Sequence, residues 1–248
     1  MKIQLEIETS TAWIWFSDPR GLNPMGTEFF NELEQALIKV EKESSVRCLI
    51  VGAQGKHLSV GLDLKEFATS TPENLLTVMM KAGQVFGRIA NLPFPTLCMY
   101  KGFSVGGAIE MGLGCDFRIA SEDVQISIPG VRIGIFNPAV TCFRLPRAVG
   151  LARAKELLLG AKTIDANTAK EWGMVYSIVP QDKLIEAAKE WRDSILSLDP
   201  LALSLTKSLL EMSWHSDVSA FRKIEEEHMK TCVLRETPIA LMRNFWKK

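Results

Sequence analysis

The chain has 248 residues, which suits one large domain or a core with a small appendage. With 47% hydrophobic and 23% charged residues it is too apolar for disorder and can bury a sizeable core. Lys+Arg and Asp+Glu balance at 29 each, so no global basic field favours nucleic acid or an anionic membrane as a main partner; a local basic pocket for one phosphorylated ligand stays open.

In chain order, residues 3–7 and 12–16 flank Thr9, Ser10 and Thr11 and predict a hairpin. Asp18 to Pro24 is turn chemistry. Phe29, Leu33, Ala36, Leu37 and Val40 recur at helical spacing, which predicts an amphipathic helix over about 26–43. Val46 to Val51 reads as a buried strand that leads into a loop from Gly52 to Gly61, and Asp63 is placed to cap a short helix. A helix over 73–91 is stopped by Asn91 and Pro93. A strand over 96–100, a loop from Gly102 to Gly107 and a helix through about Gly112 follow. Residues 117–120 and 124–128 predict strands, and Gly134 to Pro138 a loop. From Ala139 the pattern is mostly helical, over about 139–148, 150–159 and 165–172, with a last strand at 175–179. Helices near 181–197, 201–213 and 217–234 close the chain. Strands alternating with helices imply an α/β protein built on a largely parallel sheet. We divide the chain into a core over 1–180 and a helical region over 181–248, a layer suited to contact with a neighbouring subunit.

Cys48, Cys98, Cys115, Cys142 and Cys232 are odd in number, form no C-x-x-C pair and read as reduced thiols. His57, His215 and His228 show no metal-ligand spacing, and no metal is expected. Residues 1–20 read as neither signal nor transit peptide, and no apolar run is long enough to cross a bilayer. A cytoplasmic location is the default expectation.

Two segments could carry chemistry. In the stretch from Tyr100 to Met111, an apolar strand ends and Gly106 with Gly107 opens a helix. The first N–H groups of a helix lack internal acceptors and carry the positive end of its dipole, so they suit a developing oxyanion. Glu110, three residues past Gly107, shares its helix face. A plain helix–sheet contact that needs small residues explains the glycines as well. In the second segment, Gly55 to Leu64, another strand-end loop precedes a helix; its N–H groups could complete a two-donor site, and Lys56 suits a phosphate. A simple βα turn is the alternative, with His57 a surface or supporting residue. Two such loops point to the carboxyl edge of one sheet, where ligands of α/β proteins bind. No G-x-G-x-x-G follows the first strand, and neither a Walker A sequence nor a G-x-S-x-G elbow occurs.

Five co-linear stretches, from Asp18 to Asn23, Leu58 to Lys65, Gly102 to Glu110, Cys115 to Ala120 and Leu157 to Val175, make the chain resemble the crotonase (enoyl-CoA hydratase/isomerase) superfamily over nearly its whole length. The resemblance implies a spiral of repeated ββα units with a helical C-terminal region, assembled as a homotrimer or a pair of trimers. It implies an acyl-CoA thioester substrate, with coenzyme A as part of that substrate and no other cofactor. It also implies that the N–H groups of Val60 and Gly107 form an oxyanion hole. Glu110 becomes the acid/base group, while Arg20, Lys56, Leu58, Ser59 and Leu62 line the coenzyme A and substrate site.

The departures from the family pattern narrow this. Gly130 stands where hydratases carry a second carboxylate, Leu62 where methylmalonyl-CoA decarboxylases offer a histidine, and Asn137 or Phe136 where those relatives have a tyrosine. Lys101 replaces an asparagine common in the family. Water addition normally needs two groups, one taking and one giving a proton. The leading expectation is therefore a hydratase/isomerase-type enzyme that stabilises an enolate with Glu110 as its single acid/base. An acyl-CoA decarboxylase, a hydratase that uses an ionisable group not located in the sequence, and a non-catalytic acyl-CoA-binding protein are the alternatives. Leu62, Phe67, Phe136 and Phe143 are candidates for the acyl pocket or for plain core.

Overall fold

The chain enters through the expected hairpin, β1 (Lys2–Glu8) and β2 (Thr11–Ser17), paired antiparallel across Thr9 and Ser10, both at positive φ. The computed structural model describes residues 2–138, 141–213 and 216–246; the expected helix start at Ala139 and His215 lie outside them. Helix α1 (Thr27–Lys42) buries Phe29, Phe30, Leu33, Ala36, Leu37 and Val40, the face its spacing predicts. Strand β3 (Cys48–Ala53) is fully buried, and its start lies two residues later than the expected Val46. The short α2 (Leu64–Phe67) is capped as predicted, the Asp63 carboxylate accepting from the Lys65 and Glu66 N–H groups. Helix α3 (Pro72–Ala90) opens with Thr71 as cap and Pro72 in its first turn.

Strand β4 (Thr96–Tyr100) matches its predicted bounds. The expected loop from Gly102 to Gly107 instead contains β5 (Phe103–Val105), which precedes α4 (Gly107–Gly114). Strands β6 (Phe117–Ser121) and β7 (Gln125–Ser127) follow, then a 3-10 turn over Gly130–Ile133. After α5 (Thr141–Val149) and α6 (Leu151–Leu158), β8 (Thr163–Asp165) interrupts a region expected to be helical, before α7 (Ala166–Glu171) and β9 (Ser177–Val179). Both unforeseen strands have three residues, too few for an alternating pattern to register.

A six-stranded sheet runs in the order β1-β2-β3-β4-β6-β9, parallel throughout except for the opening hairpin. A second sheet, β5-β7-β8, pairs β5 parallel with β7 and β7 antiparallel with β8. The main core lies between the large sheet and helices α1, α3 and α4, with Phe16, Phe29, Phe86 and Tyr100 among its largest buried side chains. On the opposite face Trp13, Ile50, Leu97, Met99 and Ile119 are covered by Leu184 and Ala188 of α8 (Leu184–Leu196). By packing, α8 thus belongs with the core, although it lies beyond residue 180. Helices α9 (Pro200–Met212), α10 (Val218–Val233) and α11 (Glu236–Trp246) continue outward, and α9 is pinned by a buried ion pair of 2.7 Å between Lys207 and Asp116. None of the described helices is long and apolar enough to cross a membrane. Cys48, Cys98 and Cys115 are buried thiols, whereas Cys142 is exposed and Cys232 half-buried.

Candidate active site

Because β3 and β4 are parallel neighbours, their carboxyl ends open side by side, and the loops that follow are stitched together. The Leu58 N–H donates to the Lys101 carbonyl at 3.0 Å, the Ser59 N–H to Phe103 at 3.1 Å, and the Val105 N–H to Ser59 at 3.0 Å. Lys101 gains a structural account here: its Nζ donates to the Gly55 carbonyl at 2.6 Å and ties the two loops from the outside. His57 does the same from within. Its Nδ1 accepts from the Phe103 N–H at 2.9 Å while the imidazole stacks on the Phe103 ring. A ring held this way is a clip rather than a base.

Gly102 passes beneath that clip at φ +46°, where a Cβ would meet His57 Nδ1 at 2.3 Å and the Lys56 carbonyl at 2.6 Å. Left-handed strain and overpacking should together make Gly102→Ala cost about 2–4 kcal/mol. Urea unfolding of the variant tests this, and an unchanged midpoint would refute the role given to His57.

The helix start is built for an anion. Gly106 takes φ +52°, ψ −110°, a conformation that L side chains avoid, and no side chain caps α4 behind it. The Gly106 carbonyl accepts from Ile109 and Glu110, while the Gly107 N–H meets no acceptor among the described residues. Past Gly107 every residue of helix α4 is buried. Gly112 lies against the Tyr100 ring and Gly114 against the Phe86 carbonyl, contacts too close for larger residues.

Gly107 and Glu110 line one cavity of about 290 Å³. Its walls are apolar, formed largely by Met25, Phe30, Leu62, Met79, Phe86 and Phe136. Among its described lining residues Glu110 is the one carboxylate and Arg132 the one cation. Glu110 is 5% exposed, and burial pushes its carboxyl from 4.5 up to about 7, against a smaller opposing pull from a hydrogen bond with Asn137. That bond runs from Asn137 Nδ2 to Glu110 Oε1 at 2.5 Å. A buried carboxyl poised near neutrality can take and return a proton at modest cost.

The other sequence-predicted residues separate into groups. Val60 lines the cavity, but its N–H donates to the Leu22 carbonyl at 3.0 Å, so it does not stand open as Gly107 does. Of the two N–H groups expected to form the oxyanion hole, that of Val60 is engaged with Leu22 and that of Gly107 meets no acceptor among the described residues. Leu62 lines the cavity. Leu58 and Ser59 do not: both are fully buried, and the Ser59 hydroxyl bonds the Asn23 carbonyl and the Gly61 N–H. Their side chains support the loop instead of meeting a ligand. Arg20 and Lys56 are exposed, on loops that touch where Gly21 packs against Gly55. Of the apolar candidates Phe136 lines the cavity, Phe67 is core, and Phe143 lines a second cavity that also meets Glu110 and Phe86. Arg132 was not foreseen as part of the site, and Asn137 was considered only as the occupant, with Phe136, of a position where decarboxylases have a tyrosine. Asn137 carried a weak signal as the polar residue of the loop after Gly134.

The model of the family described as enoyl-CoA hydratase/isomerase matches residues 6–237. The chain belongs to the enoyl-CoA hydratase/isomerase family. It is 29% identical over 245 residues to the short-chain-enoyl-CoA hydratase of Clostridium acetobutylicum, covering 98% of this chain and 94% of the relative. It is 27% identical over 217 residues to a probable enoyl-CoA hydratase of Mycobacterium tuberculosis, covering 88% and 84%. The crystal structure of enoyl-CoA hydratase from Bacillus anthracis superposes with a TM-score of 0.94 at 28% identity, covering 100% of this chain and 96% of that one. The family's spiral fold is thus the fold of this chain, with the two sheets of unequal size as its core.

Proposed function

We propose that this family member binds an acyl-CoA thioester, holds the thioester oxygen at the Gly107 N–H, and uses Glu110 as its single acid/base group on the resulting enolate. The observation that carries this reading is the pairing, in one apolar cavity, of an open helix-start donor with one buried carboxyl poised at about 7. Gly130, at the place of a second carboxylate, turns against the cavity with no side chain to offer. Concerted hydration lacks its second proton-transfer group, so migration of a double bond is the favoured reaction.

The proton balance is simple. The Glu110 carboxylate takes a proton from C2 of a 3-enoyl thioester, and the C–H pair enters a dienolate whose charge settles on the thioester oxygen. The Glu110 carboxyl, exchanging its proton with solvent, then donates a proton to C4. The C3–C4 double bond becomes single and C2–C3 becomes double, with nothing gained or lost. Arg20 and Lys56, exposed on adjoining loops, would take the phosphate groups of coenzyme A. Leu62 and Phe136 would flank the acyl chain. Helices α9 to α11 leave Leu210, Val218, Leu234, Met242 and Trp246 exposed, and we assign that surface to contact with neighbouring subunits, in a homotrimer or a pair of trimers.

A panel of acyl-CoA thioesters incubated in D2O and read by mass spectrometry tests the reaction class. Deuterium uptake with otherwise unchanged composition, together with a shifted double bond, is the expected result. Gain of water would make the protein a hydratase, loss of CO2 a decarboxylase, and tight binding with no mass change a binding protein; each of these outcomes overturns the reading.

A further inference from the structure

Position 130 and position 137 are coupled. A Cβ built on Gly130 would lie 2.6 Å from Asn137 Oδ1 and 2.8 Å from the Ile135 carbonyl. The space that any side chain at 130 would enter is therefore already taken by the Asn137 amide. From there the amide reaches across to Glu110, Nδ2 to Oε1 at 2.5 Å. One face of Glu110 is thus clamped by a donor from outside its own helix, and this is the one side-chain hydrogen bond it makes among the described residues. The clamp is neutral at every working pH, because an amide does not titrate.

We propose that Asn137 is the positioning residue of this site: its amide, admitted by the bare backbone at Gly130, fixes Glu110 through Oε1 and leaves Oε2 alone to move the proton. The inference rests on the reading of Glu110 as the acid/base group. It gives the absence of a side chain at 130 a purpose, since a carboxylate there would displace the amide. It also makes the site a one-carboxyl proton carrier by construction, with the second position held by a group that can orient but cannot exchange a proton.

Asn137 dominates the polar surroundings of Glu110. In the cavity the other charge is Arg132, whose guanidinium donates to the Ala161 carbonyl at 3.2 Å. On α5, Arg144 is paired with Glu211 and Arg147 lies over the Phe143 ring. On α3, Lys81 is paired with Glu34 and Arg88 with Glu41. On β4, burial holds Tyr100 as a neutral phenol. A donor to a carboxylate stabilises its charged form, so losing the Asn137 amide raises the titration of Glu110 further above its ordinary range.

The test uses the full chain and two readouts. The first needs no substrate: the difference in unfolding midpoint between each protein and its Glu110→Gln counterpart, followed from pH 4 to 9, reports where Glu110 titrates. Asn137→Ala is expected to move that titration to higher pH. Gly130→Ala is expected to move it in the same direction by evicting the amide, and to add nothing when combined with Asn137→Ala. The second readout is turnover of 3-hexenoyl-CoA, where Asn137→Ala should lower kcat by about tenfold to a hundredfold through lost orientation, with KM little changed. An unmoved titration in Asn137→Ala overturns the proposal even if Glu110 proves essential. If Asn137→Ala moves the titration but Glu110→Gln keeps full turnover, the positioning contact stands and the acid/base reading fails. Full additivity of Gly130→Ala with Asn137→Ala overturns the coupling between the two positions.

Discussion

Glu110→Gln should lower turnover on the true thioester by at least about a hundredfold, the usual contribution of a positioned acid/base group, while making the protein more stable at alkaline pH. Both effects come from one cause. Glu110 is buried, and its carboxyl titrates at about 7 instead of 4.5. Between those two values the folded protein holds a proton that the unfolded chain has released. Stability from this group therefore falls as pH rises from about 4.5 through about 7, and stays low above that. At about 1.4 kcal/mol per unit, a shift of this size corresponds to roughly 3 kcal/mol of destabilisation by ionised Glu110. Glutamine is close in shape, can still accept from Asn137 Nδ2 and never ionises. The variant should thus gain up to about 3 kcal/mol over the parent at pH 8–9, and almost nothing at pH 4. Thermal unfolding of both proteins across that range measures the difference. Full turnover in the variant would remove Glu110 from the mechanism, and a stability difference that does not vary with pH would remove the raised titration.

The trade also explains why the sequence pointed to Glu110 more surely than to its surroundings. A carboxylate on a helix opened by two glycines is a local feature, with every part of it inside Gly106 to Glu110. The same holds for the Asp63 cap, the apolar stripe of α1 and the parallel strands β3 and β4, each set by residues that are close in the chain. What sequence reasoning missed depends on distant partners. Whether the Val60 N–H is open is decided by the Leu22 carbonyl, on a turn that shows no pattern pairing it with Val60. The family resemblance implies a ligand contact at Ser59, yet its hydroxyl is consumed by Asn23 and Gly61. Asn137 lies 27 residues beyond Glu110 and reaches it because position 130 is bare. The expected second carboxylate could be seen to be missing; the amide that fills its space could not. Strands β5 and β8 of the small sheet were hidden for a different reason, since each has three residues and is specified by pairing rather than by periodicity.

Gly107→Pro should lower kcat/KM by about a hundredfold more than Gly107→Ala does, about 3 kcal/mol of lost oxyanion stabilisation. The comparison targets the N–H group. Proline is tolerated at the first position of a helix, where the missing donor has no intrahelical partner and the fixed φ is already helical, so α4 should form in both variants. Both variants add a Cβ, which would meet Met25 Sδ at 2.7 Å, and the flexible end of that side chain can move aside. The two variants differ in the donor and in the proline ring carbons that take its place. Because the Val60 N–H already serves Leu22, it has to share or abandon that bond before it can help a thioester oxygen. A carbonyl oxygen with two equivalent donors would keep part of its stabilisation when one is lost, whereas on the proposed reading Gly107 would carry the larger share. Equal kcat/KM in the proline and alanine variants would show that the thioester oxygen is held elsewhere, with Val60 released from Leu22 as the first position to examine.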